Sequence, residues 1–65
     1  MTPADDNDPS EVYFEFTPSG RIVKVAAIDA TTGIEVSIIG PASAAKADLQ
    51  QLALRKLKAR LQAKG

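Results

Sequence analysis

Hydrophobic and polar residues alternate in two stretches that flank a Pro-Ser-Gly turn within "EVYFEFTPSGRIVKV". A period of two is typical of β-strands with one buried face, so strands are expected at residues 11–17 and 22–29. The turn residues "DATTG" precede a third expected strand at residues 34–39. Gly40-Pro41 is expected to end the sheet, because proline lacks the N–H group that a sheet ladder needs.

The apolar positions also indicate how the strands pair. In the first hairpin, one register pairs Thr17 with Arg21, and another pairs Thr17 with Ile22 and therefore Phe14 with Val25. The second register is favoured because it makes one face of the sheet apolar throughout, and a slip by one residue would exchange the faces. That face then consists of Val12, Phe14, Phe16, Val23, Val25, Ala27, Ile34, Val36 and Ile38.

The C-terminal segment "SAAKADLQQLALRKLKARLQAKG" predicts an amphipathic helix over residues 44–63, with Ser43 as its N-cap. Its apolar stripe is Leu49, Ala53, Leu57 and Leu61. Packing this stripe on the apolar sheet face makes Phe14, Val25 and Leu57 the expected centre of the core. Phe14→Ala is then expected to cost about 3–5 kcal/mol, as truncation of a buried aromatic does.

The predicted fold is α+β, a two-layer β-β-β-α unit in which a three-stranded antiparallel meander carries one C-terminal helix on one face. A chain of 65 residues holds one domain at most. We expect residues 1–10 to form a disordered acidic tail, residues 11–63 to form the domain, and residues 64–65 to be a C-terminal end. The second hairpin is expected to pair Asp29 with Ile34.

The chain contains no histidine and no cysteine, which removes imidazole bases, thiolate nucleophiles and thiolate zinc sites. The sequence shows no phosphate-binding glycine motif and no apolar run long enough for a membrane span. We therefore expect a non-enzymatic protein without catalytic, cofactor-binding or metal-binding residues, and without a small-molecule substrate or a membrane partner. The absence of cysteine and of a secretory signal indicates a cytoplasmic location.

The second face of the predicted sheet is unusually apolar for a surface that water should cover. It carries Tyr13, Ile22, Ala26, Ile28 and Ile39. A contiguous exposed apolar patch usually marks an interaction site. The main hypothesis is a small protein-interaction module that forms a homodimer, through this face or through an edge of the sheet, or that docks on another protein.

The alternative is a nucleic-acid-binding accessory protein that uses the basic helix. The candidate contacts are Lys46, Arg55, Lys56, Lys58 and Arg60. The β-β-β-α order with "SAAKADL" is similar to the second half of double-stranded-RNA-binding domains, although only one lysine stands where that family has several. Bases near a helix C-terminus also complement the helix dipole, and this interpretation is favoured over a nucleic-acid surface.

The segments "VYFEF", "VKVAAIDATTGIEVSIIGPASA" and "LALRKL" resemble a group of short bacterial proteins known only as a domain of unknown function. The resemblance covers residues 12–57. It implies a bacterial cytosolic protein without an established activity, and it assigns no role to any residue.

Overall fold

The computed structural model describes residues 11–63, and the expected tail at residues 1–10 and the end at residues 64–65 lie outside them. Three strands are followed by one helix: β1 (Val12–Ser19), β2 (Ile22–Asp29), β3 (Glu35–Pro41) and α1 (Lys46–Gln62). The strands form an antiparallel sheet in the order β1-β2-β3, with α1 packed on one face. The predicted α+β meander with a C-terminal helix is confirmed.

The predicted register of the first hairpin is wrong by two residues. Ser19 pairs with Ile22 and Phe14 pairs with Ala27, so the connecting loop is Gly20-Arg21 alone. Gly20 has a φ of 64°. A two-residue loop that begins with such a glycine matches the right-handed twist of the flanking strands. Pro18 and Ser19 therefore continue β1 instead of forming the turn, and the two-residue slip leaves the assignment of faces unchanged.

The second hairpin has the predicted register, since Ala27 pairs with Val36 and the Asp29 N–H donates to the carbonyl of Ile34. A carboxylate oxygen of Asp29 accepts hydrogen bonds from the Thr32 N–H at 2.9 Å and from the Thr32 hydroxyl at 2.7 Å. Gly33 supplies the positive φ, 79°, that ends the turn. This turn is fastened by side-chain hydrogen bonds, as aspartate at a turn start allows.

Two expectations about the chain after β3 are wrong. The sheet does not end before Gly40, because β3 runs on to Pro41 and the Ala42 N–H still donates to the carbonyl of Arg21. The helix begins at Lys46, and its N-cap is Ala45, which makes no side-chain capping bond, instead of Ser43. The connection from β3 to α1 is only residues 42–45, so the start of the helix lies close to the end of β3.

The core lies between α1 and the sheet face that it covers, which we call the inner face. Its fully enclosed members are Val25, Ala27, Val36, Leu49, Ala53 and Leu57, with Val12, Phe14, Phe16, Val23, Ile34, Ile38, Ala44 and Leu61 packed around them. All nine predicted inner-face residues belong to this set. Val25 and Leu57 are central as expected, with no exposed surface, but Phe14 is only half-buried, at the margin of the core.

Candidate protein-interaction surface

The outer face of the sheet, opposite α1, carries four cross-strand rows that the pairing defines. The rows are Tyr13-Ile28-Glu35, Glu15-Ala26-Ser37, Thr17-Lys24-Ile39 and Ser19-Ile22-Pro41. The apolar side chains therefore collect at the two ends of this face, and a polar band separates them. The five predicted interaction residues share one face, as expected, but they do not form one continuous patch.

Exposure differs among these five residues. Of the four exposed large hydrophobic side chains among residues 11–63, three lie on the outer face: Tyr13 at 56%, Ile22 at 44% and Ile39 at 66%. Ile28 is half-buried. Ala26 is only 3% exposed, because its short side chain lies on the central strand between Glu15 and Ser37. Ala26 is therefore not available to a partner.

The two edges of the sheet can be compared through their hydrogen bonds. Along a strand of an antiparallel ladder, the backbone N–H and C=O groups of one residue point towards the neighbouring strand, and those of the next residue point away from it. The Ala30 N–H donates to the carbonyl of Glu11, so the backbone N–H and C=O groups of the odd-numbered residues of β1 point towards β2. The N–H groups of Val12, Phe14 and Phe16 consequently point out from the free edge of β1. By the same alternation, those of Glu35, Ser37 and Ile39 point out from β3.

A proline lies near the end of each edge strand, and in both cases the missing N–H would have faced outward. Pro18 and Pro41 occupy outward-facing positions of β1 and β3. Proline is tolerated in a sheet at this kind of position, because no ladder bond is lost. The expectation that both prolines lie outside the strands is wrong, because Pro18 belongs to β1 and Pro41 to β3. Each proline shortens the edge that could pair with another chain.

The helix lies on the β3 side of the sheet, and one of its side chains reaches the edge of β3. The Lys56 ammonium donates a 2.8 Å hydrogen bond to the outward-facing carbonyl of Ser37. At the end of β3, Gly40 lies against Leu49, and a Cβ at Gly40 would approach the Leu49 Cδ2 atom to 2.5 Å. Lys56 therefore occupies the edge of β3 at Ser37, and Leu49 of α1 packs over the inner face of β3 at Gly40; we call this the covered side of the sheet.

Among residues 11–63 the edge formed by β1 is open, because α1 lies over β2 and β3. The inner-face side chains of β1, Val12, Phe14 and Phe16, are half-buried and border a trough between β1 and the helix. One depression in this trough, of 240 Å³, is lined by Phe16, Pro18, Val23, Ala42, Ala44, Lys46 and Leu49. A second, of 270 Å³, is lined by Val12, Phe14, Asp29, Leu54, Leu57, Lys58 and Leu61. We call this surface the β1 trough.

The volume of each depression falls below the range of about 300–1,000 Å³ that small-molecule sites occupy. Both are lined mainly by apolar side chains. The Lys46 ammonium lies 5.5 Å from the centroid of the Phe16 ring, which is a cation–π arrangement. Neither depression in the β1 trough therefore has the volume of a typical small-molecule site.

Tyr13 lies on the outer face of β1 and is tied to the start of the strand. A hydrogen bond to the Glu11 carboxylate, together with the negative charge of that carboxylate, raises the pKa of Tyr13 above its ordinary value. Both effects favour the neutral phenol. The hydroxyl of Tyr13 is therefore kept protonated on an exposed part of the surface.

The five predicted nucleic-acid contacts are distributed around α1. Lys56 reaches the edge of β3, whereas Lys58 lines the β1 trough on the opposite flank of the helix. Lys46 lies over Phe16 at the beginning of the helix, and Arg60 lies in its last turn. The structure does not bring Lys46, Lys56 and Lys58 together.

The chemistry-bearing groups of residues 11–63 are few. No cluster of three or more acidic, histidine or cysteine side chains is placed to hold a metal ion within this range. Asp29 and Glu35 flank the same turn, yet Asp29 is buried on the inner face while Glu35 lies on the outer face. Across the described residues, the helix lacks the length and apolar character needed to cross a membrane.

A family model described as a domain of unknown function, DUF6898, matches residues 9–64. No curated protein and no solved structure matches the chain.

Proposed function

The chain belongs to this family of unknown function, and from its geometry we propose that it is a non-enzymatic protein-interaction module that self-associates through the open edge of its sheet. The observation that carries the proposal is the difference between the two edges. Lys56 reaches the edge of β3, whereas β1 presents N–H groups that have no partner among residues 11–63, beside half-buried apolar side chains. An exposed strand edge of this kind is a template for pairing with another strand.

The size of the domain supports self-association. A 65-residue chain buries only about 60% of the surface that its unfolded chain exposes, and this chain has no disulfide to compensate. A second subunit would cover the half-buried side chains of β1, Val12, Phe14 and Phe16, and so enlarge the core. The residue inventory supports the non-enzymatic part of the proposal, because the chain has no imidazole or thiol. We place the module in the cytoplasm, whose reducing conditions suit a protein without disulfides.

The outer face contributes less to the proposal than the open edge. Its exposed apolar side chains lie at two ends, Tyr13 with Ile28 at one and Ile22 with Ile39 at the other. Stacking two outer faces would bury Glu15 and Lys24 along with them, and burying charged groups is costly unless they pair well. The open edge offers apolar side chains and backbone donors together without such a cost.

Sedimentation equilibrium of two matched proline variants tests the proposal. Val12→Pro removes an outward N–H from β1, and Glu35→Pro removes one from β3, so neither variant loses a ladder bond within the monomer. We expect the wild type and Glu35→Pro to be dimeric at tens of micromolar, and Val12→Pro to dissociate at least tenfold more readily. A monomeric wild type, or equal weakening by the two prolines, would contradict the proposal.

A further inference from the structure

The backbone donors and the charges along the open edge of β1 favour one register for pairing with a second copy. This inference rests on the proposed self-association and names the arrangement of its partner. We propose that the partner is a second copy of this chain, whose β1 pairs antiparallel with β1 about a two-fold axis at Phe14. The result is one continuous six-stranded sheet with both helices on the same face.

The backbone supports an axis at Phe14. Val12 then faces the partner's Phe16, and Phe14 faces the partner's Phe14. All of these residues point their N–H and C=O groups outward, and residues that face each other in this way exchange two hydrogen bonds per pair. Moving the axis to Phe16 would set Phe14 opposite the partner's Pro18, and each such pair would lose a bond because proline has no donor.

Charge decides between the remaining registers. With the axis at Phe14, Tyr13 lies opposite the partner's Glu15, which brings a phenol beside a carboxylate. With the axis at Glu15, the two Glu15 carboxylates would lie opposite each other. With the axis at Tyr13, Glu15 would lie opposite the partner's Glu11. Like charges directly opposite on neighbouring strands are destabilising. Among the four registers with the axis at Tyr13, Phe14, Glu15 or Phe16, the Phe14 register therefore avoids acid–acid pairs and keeps every backbone bond between Val12 and Phe16.

The same register joins the two apolar troughs. The inner-face side chains of β1, half-buried in one copy, would lie beside those of the partner, with Phe14 next to its own equivalent and Phe16 next to Val12. On the outer face, Tyr13 of each copy would lie diagonally from the other, within reach for aromatic contact. Two-fold symmetry makes this contact identical on both subunits and closes the assembly at two chains.

Disulfide cross-linking between mixed variants reads the register, because the natural chain has no cysteine. Tyr13 and the partner's Glu15 would form a non-hydrogen-bonded pair, with Cα atoms about 4.5 Å apart, a separation that a disulfide spans. The full chain carrying Tyr13→Cys is mixed with the chain carrying Glu15→Cys and oxidised at tens of micromolar. We expect the mixed disulfide dimer to be the main product, at least tenfold above that from Tyr13→Cys mixed with Ile39→Cys.

Three outcomes would overturn the register. Cross-linking of Tyr13→Cys with Thr17→Cys, in which both chains keep Glu15, would place the axis at Glu15. Cross-linking of Tyr13→Cys alone would place the axis at Tyr13. Absence of every cross-link from a chain that sediments as a dimer would mean that the dimer does not use β1. If the wild type sediments as a monomer and no cross-link forms, self-association itself is refuted, and the register with it.

Discussion

The two edge strands of this sheet have similar sequences in outline, and they face different surroundings. Each has alternating apolar residues and a proline whose missing N–H faces outward. The difference arises from the helix, because the short connection after β3 places α1 over β2 and β3. From there Lys56 donates a hydrogen bond to the carbonyl of Ser37 at the edge of β3. The exposure of an edge strand in a small domain is therefore set by where the chain goes next more than by the strand itself.

The largest expected effect of this difference is on the stability of core variants. Leu57, which lies under the covered side, has no exposed surface, whereas Phe14 is half-buried at the open side. We expect Leu57→Ala to cost about 2–5 kcal/mol. Phe14→Ala should cost about 2–3 kcal/mol, near or below the lower end of the range for a fully buried aromatic, because part of its side chain is already exposed. Urea denaturation at a concentration that keeps the chain monomeric measures both.

The structure thereby lowers the cost that the sequence alone predicts for Phe14→Ala. A Phe14→Ala loss equal to or greater than that of Leu57→Ala would show that β1 is covered in the monomer, and the distinction between the two edges would fail.

The turn between β2 and β3 is also stabilised by more side-chain hydrogen bonds than the turn between β1 and β2. Asp29 holds the turn between β2 and β3 through two hydrogen bonds from Thr32, while the turn between β1 and β2 rests on Gly20 and Arg21. Asp29 is 4% exposed, so its removal leaves the Thr32 N–H without its charged acceptor. We expect Asp29→Ala to cost about 1.5–3 kcal/mol, the range for hydrogen bonds to charged groups.

The matched control for Asp29→Ala is Arg21→Ala, at the exposed turn on the open side. A surface substitution of this kind should change stability by less than about 0.5 kcal/mol. If thermal denaturation gives similar losses for the two variants, the turn on the covered side is not the better fastened of the two.

The smallest expected effect is on the ionisation of Tyr13, beside the open edge. Glu11 raises the pKa of Tyr13, and the shift favours the folded state at pH values below the ordinary pKa of 10.0. That contribution is lost as pH rises through the raised pKa of the folded state. Tyr13 is the only tyrosine in the chain, so the absorbance of tyrosinate reports it alone.

Replacing Glu11 by glutamine removes the charge that raises the pKa of Tyr13. We expect the pKa of Tyr13 in Glu11→Gln to fall towards 10.0 when the chain is monomeric, while Lys56→Gln, at the opposite edge, leaves it unchanged. An unchanged titration in Glu11→Gln would mean that Glu11 does not contact Tyr13 in solution.

The alternation of apolar residues was sufficient to predict the inner face, because a slip of two residues keeps every side chain on its own side. For the same reason it could not identify the register of the first hairpin. That register depends on Pro18, which is typical of a turn in isolation but continues β1 where its missing N–H faces outward. Whether the missing N–H of Pro18 faces outward depends on the register. The prediction of the turn and the prediction of the strand pairing were therefore wrong for the same reason.

The candidate surface was predictable only in part. The sequence places Tyr13, Ile22 and Ile39 on one face, and the structure agrees. The sequence does not show that Ala26 is shielded by its neighbours, because shielding depends on the lengths of side chains on adjacent strands. Nor does the sequence show that the edge of β1 is open, since this depends on where the helix lies across the sheet.

Amide hydrogen exchange, followed by NMR as the protein concentration is raised, tests the central claim without altering the chain. The outward N–H groups of Val12, Phe14 and Phe16 and those of Glu35 and Ile39 should all exchange rapidly when the chain is monomeric. Pairing through β1 predicts that the first three slow together as the concentration rises to tens of micromolar, while Glu35 and Ile39 stay fast. Slowing of Glu35 and Ile39 instead, or no change at either edge, would contradict the account.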